Sequence, residues 1–289
     1  MHALAKPNFE LLMRLIAKHS WLQAKIEEMS NLIFDDCDNN HQLDLVVDIL
    51  ENLKHISAAE YNSYIADLAL DIVTSHLEPK ETLLVAMTAD SSADSGQSVL
   101  YDLKLELSKY SWNGYKSINR YDQTANKCKD YKKAGIEFNN IVLVDNFIGT
   151  GSTVLGRVSR IRQLFSDKEL EQPNIYVKTL IATSGGIEKV CEQNINLFYS
   201  IEVTDKLIER IYSENEANDK KKLMREIESK LLQSYNGRDI PTLGYGESQV
   251  AISIENKNTP NNVFPIFWWR FYQDGRERKV ILHRAMDDA

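Results

Sequence analysis

Residues 141–153, IVLVDNFIGTGST, constrain this chain more than any other stretch. Four apolar residues in a row, Ile141 to Val144, predict a strand buried on both faces, as in a parallel sheet. Asp145 and Asn146 stand where that strand is expected to end. Two glycines and three hydroxyl residues follow, and then Val154, Leu155, Val158, Ile161 and Phe165 recur at helical spacing. A helix is therefore expected from about Ser152 or Thr153. A strand that turns through glycines into a helix N-terminus suits a phosphate: the backbone comes close, free N–H groups point at the anion and the helix dipole favours negative charge. A plain βα turn is the competing reading, because glycine-rich turns occur in any α/β domain.

The spacing is neither G-x-G-x-x-G, since Val154 follows Gly149 and Gly151 without a third glycine, nor a Walker loop, which needs Gly-Lys-Ser/Thr. The stretch resembles the PRPP-binding motif of type I phosphoribosyltransferases: four apolar residues, two acids, two apolar residues and Thr-Thr-Gly-x-Thr. Asp145 matches the first acid, and Thr150, Gly151 and Thr153 match the loop; Asn146 departs at the second acid and Gly149 at the first threonine. The resemblance implies that Asp145 and Asn146 are the catalytic pair facing the ribose hydroxyls, and that Gly149, Thr150, Gly151, Ser152 and Thr153 hold the 5′-phosphate. It also implies PRPP or a nucleotide as ligand, with Mg²⁺ as cofactor and no metal site made by protein side chains alone. An amide at 146 can bond a hydroxyl but carries no charge to stabilise a ribosyl cation, which puts ordinary catalysis in question.

A second strand–loop–helix unit precedes the first. Thr82–Met87 predicts a buried strand, the small polar residues 88–98 a loop, and Val99, Leu100, Leu103 and Leu107 a helix. In type I phosphoribosyltransferases the loop at this place in the order holds pyrophosphate; here that implies Thr88, Ala89, Asp90, Ser91, Ser95 and Gly96. A capped βα loop explains Asp94 or Ser95 nearly as well. Residues 109–136, rich in Tyr, Asn, Lys and Gly, have weak periodicity and read either as a functional lid, which the similar enzymes carry here, or as a solvated connector with a short hairpin. Further core strands are expected at 175–182 and 197–203, the first followed by a short helix to about Gln193, and then helices at about 205–213 and 219–233. The β-α-β-α-β order predicts an α/β fold with a mainly parallel, Rossmann-like sheet.

Residues 8–77 read as helices throughout, with stripes such as Leu22, Ile26, Met29 and Ile33 and a capping box at Ser57–Glu60. Asp36–Asn40 begins like a calcium loop but has His41 where glycine is needed, and reads as a helix–helix connection. The expected organisation is an N-terminal helical region, 1–79, packed on a domain at 80–289 whose closing hood spans about 240–289. Within that hood, Asn258, Asn261, Asn262, Phe267 and Trp268 could stack on and read a planar base; a hydrophobic strand closing the core is the alternative. Gly244-Tyr245-Gly246-Glu247-Ser248-Gln249 together with Asn258–Asn262 and Pro265–Trp268 resembles the ending of phosphoribosyltransferase-like (PRTase-CE) effectors of bacterial conflict systems, including retron-type anti-phage systems. That resemblance implies a partner-controlled effector, with a reverse transcriptase–msDNA complex or another defence protein as possible partner, and a possible homo-oligomer. A catalytically inactive PRPP or nucleotide sensor is the other class of function left open.

Composition excludes other classes. Net charge −8 over 289 residues argues against a surface that grips nucleic acid as a whole. Three scattered cysteines suggest a reducing, cytoplasmic setting rather than a disulfide framework. No window approaches 18 uncharged apolar residues, so neither a membrane span nor a signal peptide is expected.

Overall fold

The computed structural model describes residues 6–88 and 94–286. In chain order its principal elements are helices α1 (Lys6–Lys18), α2 (Ile26–Ser30) and α3 (Asn40–Glu51), strand β1 (Lys54–Ile56), α4 (Ala58–Thr74), β2 (Thr82–Ala86), α5 (Ser95–Lys109), β3 (Lys116–Ile118), α6 (Thr124–Lys133), β4 (Asn140–Ile148), α7 (Ser152–Ser166), β5 (Asn174–Thr183), α8 (Ser184–Cys191), β6 (Asn196–Val203), α9 (Leu207–Ile211), α10 (Glu214–Ser229), the short hairpin β7 (Ser234–Tyr235) and β8 (Arg238–Asp239), and β9 (Ile252–Ile254). They fall into two units, Ala58–Val203, and the described residues of Met1–Ser57 with Thr204–Ala289. This division differs from the expected boundary at 79/80. Helix α4 belongs with the sheet, and the closing segment belongs with the N-terminal helices.

The Ala58–Val203 unit is a five-stranded, wholly parallel sheet in the order β3-β2-β4-β5-β6. Strands β2 and β4 bury every apolar position except the half-buried Phe147, because helices cover both faces. On one face α4 and α5 pack on the strands; on the other, Val154, Val158 and Ile161 of α7 meet Ile141, Leu143 and Val177, with Cys128 of α6 and Phe138 beside them. Strand β4 runs to Ile148, past the polar pair at which it was expected to end. The segment 109–136 holds no hairpin: it supplies the edge strand β3 and helix α6. Its pattern is weak because only Thr124, Ala125 and Cys128 of α6 face the core. After β2 the chain steps to the outer neighbour β3, and then returns to the other side of β2 as β4. The ends of β2 and β4 are thus the topological switch point, where open α/β sheets bind ligands.

An ion pair unforeseen in the apolar run of β5 fastens this unit. Lys178 is buried and bonds Asp71 of α4, with Ser75 Oγ at 3.2 Å. A buried ammonium needs such partners to keep its charge.

In the other unit the expected all-helical start is interrupted. Lys54–Ile56 forms a strand that pairs in parallel with Ile252–Ile254. Three residues are too few to show a period, and the partner lies some 200 residues away. The closing aromatics form a short 3₁₀ turn at Pro265–Phe267 rather than a strand, with a single bridge between Val263 and Val250. No helix among the described residues is long and apolar enough to cross a membrane.

Candidate functional site

Because all pairings in the sheet are parallel, the segments after β2, β4 and β5 leave from the same edge. There the two expected loops meet. Ser95, first residue of α5, donates its hydroxyl to Asp145 Oδ1 at 3.0 Å, and the Asn146 backbone N–H donates to the same oxygen at 2.8 Å. Asp145 Oδ2 makes no hydrogen bond among the described residues. Gly96 allows this approach: a Cβ there would lie 3.1 Å from Met87 N, just past β2, and from Val144 O, midway along β4. Asp94 caps α5 through the Ser95 N–H, so the capping reading of that loop describes Asp94, while Ser95 also reaches Asp145.

Burial pushes the Asp145 carboxyl up to about 7. The Asn146 N–H opposes that, the Asp94 charge adds to it, and the Ser95 hydroxyl and the Arg157 charge pull the other way. At neutral pH this carboxyl is poised between its two forms. Asn146 is buried beside it, and its side-chain amide makes no hydrogen bond among the described residues.

The 149–151 turn is built against a third loop. Gly151 takes a left-handed φ of 72° at the N-cap of α7. Thr183 Oγ1, at the end of β5, donates to Gly149 O at 2.8 Å and accepts from the Gly186 N–H at 3.0 Å. A Cβ on Gly186 would fall 2.0 Å from Gly149 O, so only glycine fits. Held in this way, the loop presents the exposed Ser152 and Thr153 and the half-buried Thr150 at the start of a 15-residue helix. The first-turn N–H groups of that helix have no acceptor within it, which is the chemistry of an anion cradle. Lys189 of α8 adds a cation, its Nζ 2.8 Å from Ser152 Oγ.

Ser95, Gly96, Asp145 and Asn146 therefore lie together, with the 149–153 loop following on β4. Thr88 is buried at the end of β2, its carbonyl accepting from the Tyr121 N–H. Ala89, Asp90 and Ser91 lie outside the described residues. Arg157, Thr183 and Lys189 were missed by the sequence reading. The signal for Thr183 was Thr183-Ser184-Gly185-Gly186, a third strand end of hydroxyls and glycines. Arg157 and Lys189 carry no local signal beyond lying one turn into their helices.

The amide and aromatic residues expected at a base belong to the other unit. Phe267 is fully buried, and Trp268 is buried with its indole N–H on Val263 O. Asn262 donates to Tyr245 O and to Ser248 Oγ, both at 3.2 Å, and Asn258 Oδ1 accepts the Ala285 N–H. Asn261 lines a cavity together with Trp268.

A parallel sheet with helices on both faces, its loops meeting at the switch point, is an α/β fold of the phosphoribosyltransferase kind. The chain belongs to the PRTase-CE family, whose profile matches residues 19–280. Among solved structures it is similar to a hypothetical protein from Neisseria gonorrhoeae with bound ppGpp (12% identity over 53% of this chain and 85% of that one, TM-score 0.34). It is also similar to hypoxanthine-guanine phosphoribosyltransferase from Schistosoma mansoni in complex with IMP (15%, 52% and 65%, 0.33) and to orotate phosphoribosyltransferase from Aeropyrum pernix (14%, 48% and 69%, 0.28). Comparison with curated proteins gave no match.

Proposed function

We propose that this protein binds PRPP or a nucleotide at the ends of β2 and β4 and acts on its phosphoribosyl group. The observation that carries the reading is the Ser95–Asp145 contact, which joins the two loops that such a ligand needs. Thr150, Gly151, Ser152 and Thr153 cradle the 5′-phosphate, with the first-turn N–H groups of α7 as donors. Asp145 offers its unbonded Oδ2 to a ribose hydroxyl and Asn146 adds its amide. Thr88, Ser95 and Gly96 face the pyrophosphate. In transfer the bond from C1′ to pyrophosphate breaks, an acceptor bonds C1′, and the chain's part is to hold both ends in line.

Mg²⁺ fits this donor set as a companion of the ligand. Asp145 is a desolvated carboxyl beside the Asp94 charge, a pair that a cation would relieve. Among the described residues no group of three or more His, Cys, Asp or Glu could hold a metal by itself. When bound, the ion supplies charge neutralisation at the leaving phosphate oxygens.

Asn146 favours a second reading, a PRPP or nucleotide sensor that keeps the pocket without turnover. Incubation with PRPP or mixed nucleotides and Mg²⁺, followed by assay for pyrophosphate, free base and altered nucleotide, separates the two. Turnover supports the transferase, calorimetric binding without turnover supports the sensor, and absence of both overturns the site. We assign the activity to anti-phage defence under a partner's control, as a toxic effector, on the resemblance to conflict-system effectors. A folded Asp145→Asn protein that still protects cells from phage would overturn that assignment of the site.

A further inference from the structure

A second cavity, of about 320 Å³, lies wholly within the unit that lacks the β4 loop. That volume is at the small end of ligand sites. Its walls include Tyr235, Arg238, Tyr245, Asn261, Trp268 and Arg284. The β7–β8 hairpin turns at Asn236-Gly237, which sets Tyr235 opposite Arg238. The Arg284 guanidinium lies over the Trp268 ring, 5.5 Å from its centroid, and donates to Thr259 O at 2.5 Å.

Charge in this cavity is unbalanced. Burial, and then the positive charge of Arg238, hold the Arg284 guanidinium below its ordinary range. Asp239 shares the wall, yet among the described residues neither arginine forms an ion pair with a carboxylate. Two guanidinium groups that repel each other in a partly desolvated cavity are relieved by one anion, and the planar fork of arginine suits phosphate oxygens. Flat indole and phenol rings suit a flat ligand. Trp269, also on the wall, has an indole N–H with no partner among the described residues.

We propose that this cavity binds a nucleoside monophosphate, the phosphate between Arg238 and Arg284 and the base against the aromatic wall. None of the residues on its wall belongs to the unit that holds the sheet-edge loops.

The test is calorimetric titration of the full chain with AMP in a Thr150→Val/Thr153→Val background, which weakens the sheet-edge cradle. AMP is expected to bind there at least tenfold more tightly than adenosine or inorganic phosphate. Arg238→Gln, on an exposed hairpin, should weaken AMP at least tenfold while the melting temperature holds. Arg284→Lys keeps the charge but loses the planar stack on Trp268, and should give a smaller loss. PRPP titration of Arg238→Gln on the otherwise native chain should be unchanged, so failure here is separable from failure of the sheet-edge site. AMP binding indifferent to both arginine variants overturns the proposal, as does phosphate binding as tightly as AMP. So does absence of AMP binding.

Discussion

Two regions of this molecule are written in nearly the same residues and use them in opposite ways. The loop after β4 has Gly149, Thr150, Gly151, Ser152 and Thr153; the turn cluster of the other unit has Gly244, Gly246, Ser248, Gln249 and Asn258–Asn262. Each is shaped by a glycine pressed on a carbonyl, Gly186 on Gly149 O and Gly244 on Asn262 O, with 2.0 Å left for a Cβ in both cases. In the turn cluster the polar groups satisfy one another. Ser248 donates to Asn262 O, Asn262 returns a bond to Ser248, and Gln249 accepts from Ile208 N and donates to Glu209. In the β4 loop Ser152 and Thr153 stay exposed above a helix N-terminus. Glycines and hydroxyls make a lock where their polar groups are buried and pair with one another, and a cradle where the hydroxyls stay exposed at a helix N-terminus.

Each region also holds an acid whose carboxyl is pushed up by burial. Glu228, near the end of α10, accepts the Leu243 N–H at 2.9 Å through Oε2, while Oε1 is buried without a partner among the described residues. Burial pushes it up to about 8, above Asp145 at about 7. Glu228 faces only protein, and Asp145 faces the open edge of a sheet.

The largest expected effects come from the two glycines. Gly244 has φ 79° and ψ 155°, a region essentially reserved for glycine, so Gly244→Ala adds backbone strain to a steric clash. A loss of about 3 kcal/mol or more is expected, read by chemical denaturation, with PRPP affinity unchanged in whatever folds. Gly186→Ala should cost about 1–3 kcal/mol and also lose PRPP binding, because Gly149 must move. If the two variants give the same binding result, the distinction between lock and cradle fails.

Next is the pH dependence. A carboxyl whose folded value of about 8 lies above its ordinary 4.5 keeps its proton in the folded chain after the unfolded chain has lost it. Its influence is nil below about 4.5, and stability falls as the pH climbs toward 8. Glu228→Gln mimics the protonated form, so its melting temperature should fall less steeply than the parent's from pH 5 to 8. A parallel decline in both proteins would show that Glu228 is not the group responsible.

Hydroxyl removal comes third. Thr150→Val and Thr153→Val keep shape and should each weaken PRPP by about 1–3 kcal/mol if the bonds are to a charged phosphate, with little change in stability. Ser248→Ala should do the reverse, lowering stability by about 1 kcal/mol and leaving PRPP alone. Calorimetry and thermal unfolding of the three proteins test the contrast in one set.

Sequence showed the parallel sheet well, because Leu83–Val85, Ile141–Val144 and Leu180–Ala182 are apolar on both faces and periodicity reports burial directly. It showed the β4 loop for the same local reason. Sequence could not show whether a polar group is used up. Asn262 and Thr150 look alike on paper, and only the fold reveals that Asn262 spends its amide on Tyr245 and Ser248. Lys54–Ile56 and the Lys178–Asp71 pair escaped for a related reason, their partners being distant in sequence.

The smallest and most discriminating effect is expected at the ribose pair. Asp145 Oδ1 accepts both of its bonds, from Ser95 and from Asn146 N, and an amide oxygen can accept them equally well. Its folded value of about 7, above the ordinary 3.8, means that the ligand-free fold loses stability as pH rises between those values. Asp145→Asn should therefore fold and melt no lower than the parent at pH 7, yet lose PRPP because Oδ2 is gone. A cap or purely structural Asp145 predicts the contrary, a lower melting temperature with ligand effects only in its wake. Asn146→Asp places a second carboxyl beside Asp145 and Asp94, so it should lower the melting temperature slightly without ligand, through like-charge repulsion. With Mg²⁺ and PRPP it should bind as well as the parent or better, since a cation and a diol convert that repulsion into ligand contacts. Calorimetry of both variants with and without Mg²⁺, beside melting at pH 5 and pH 7, reads all of this. A folded Asp145→Asn protein with full PRPP affinity would remove Asp145 from the site, and with it the cradle's claim to a ribose.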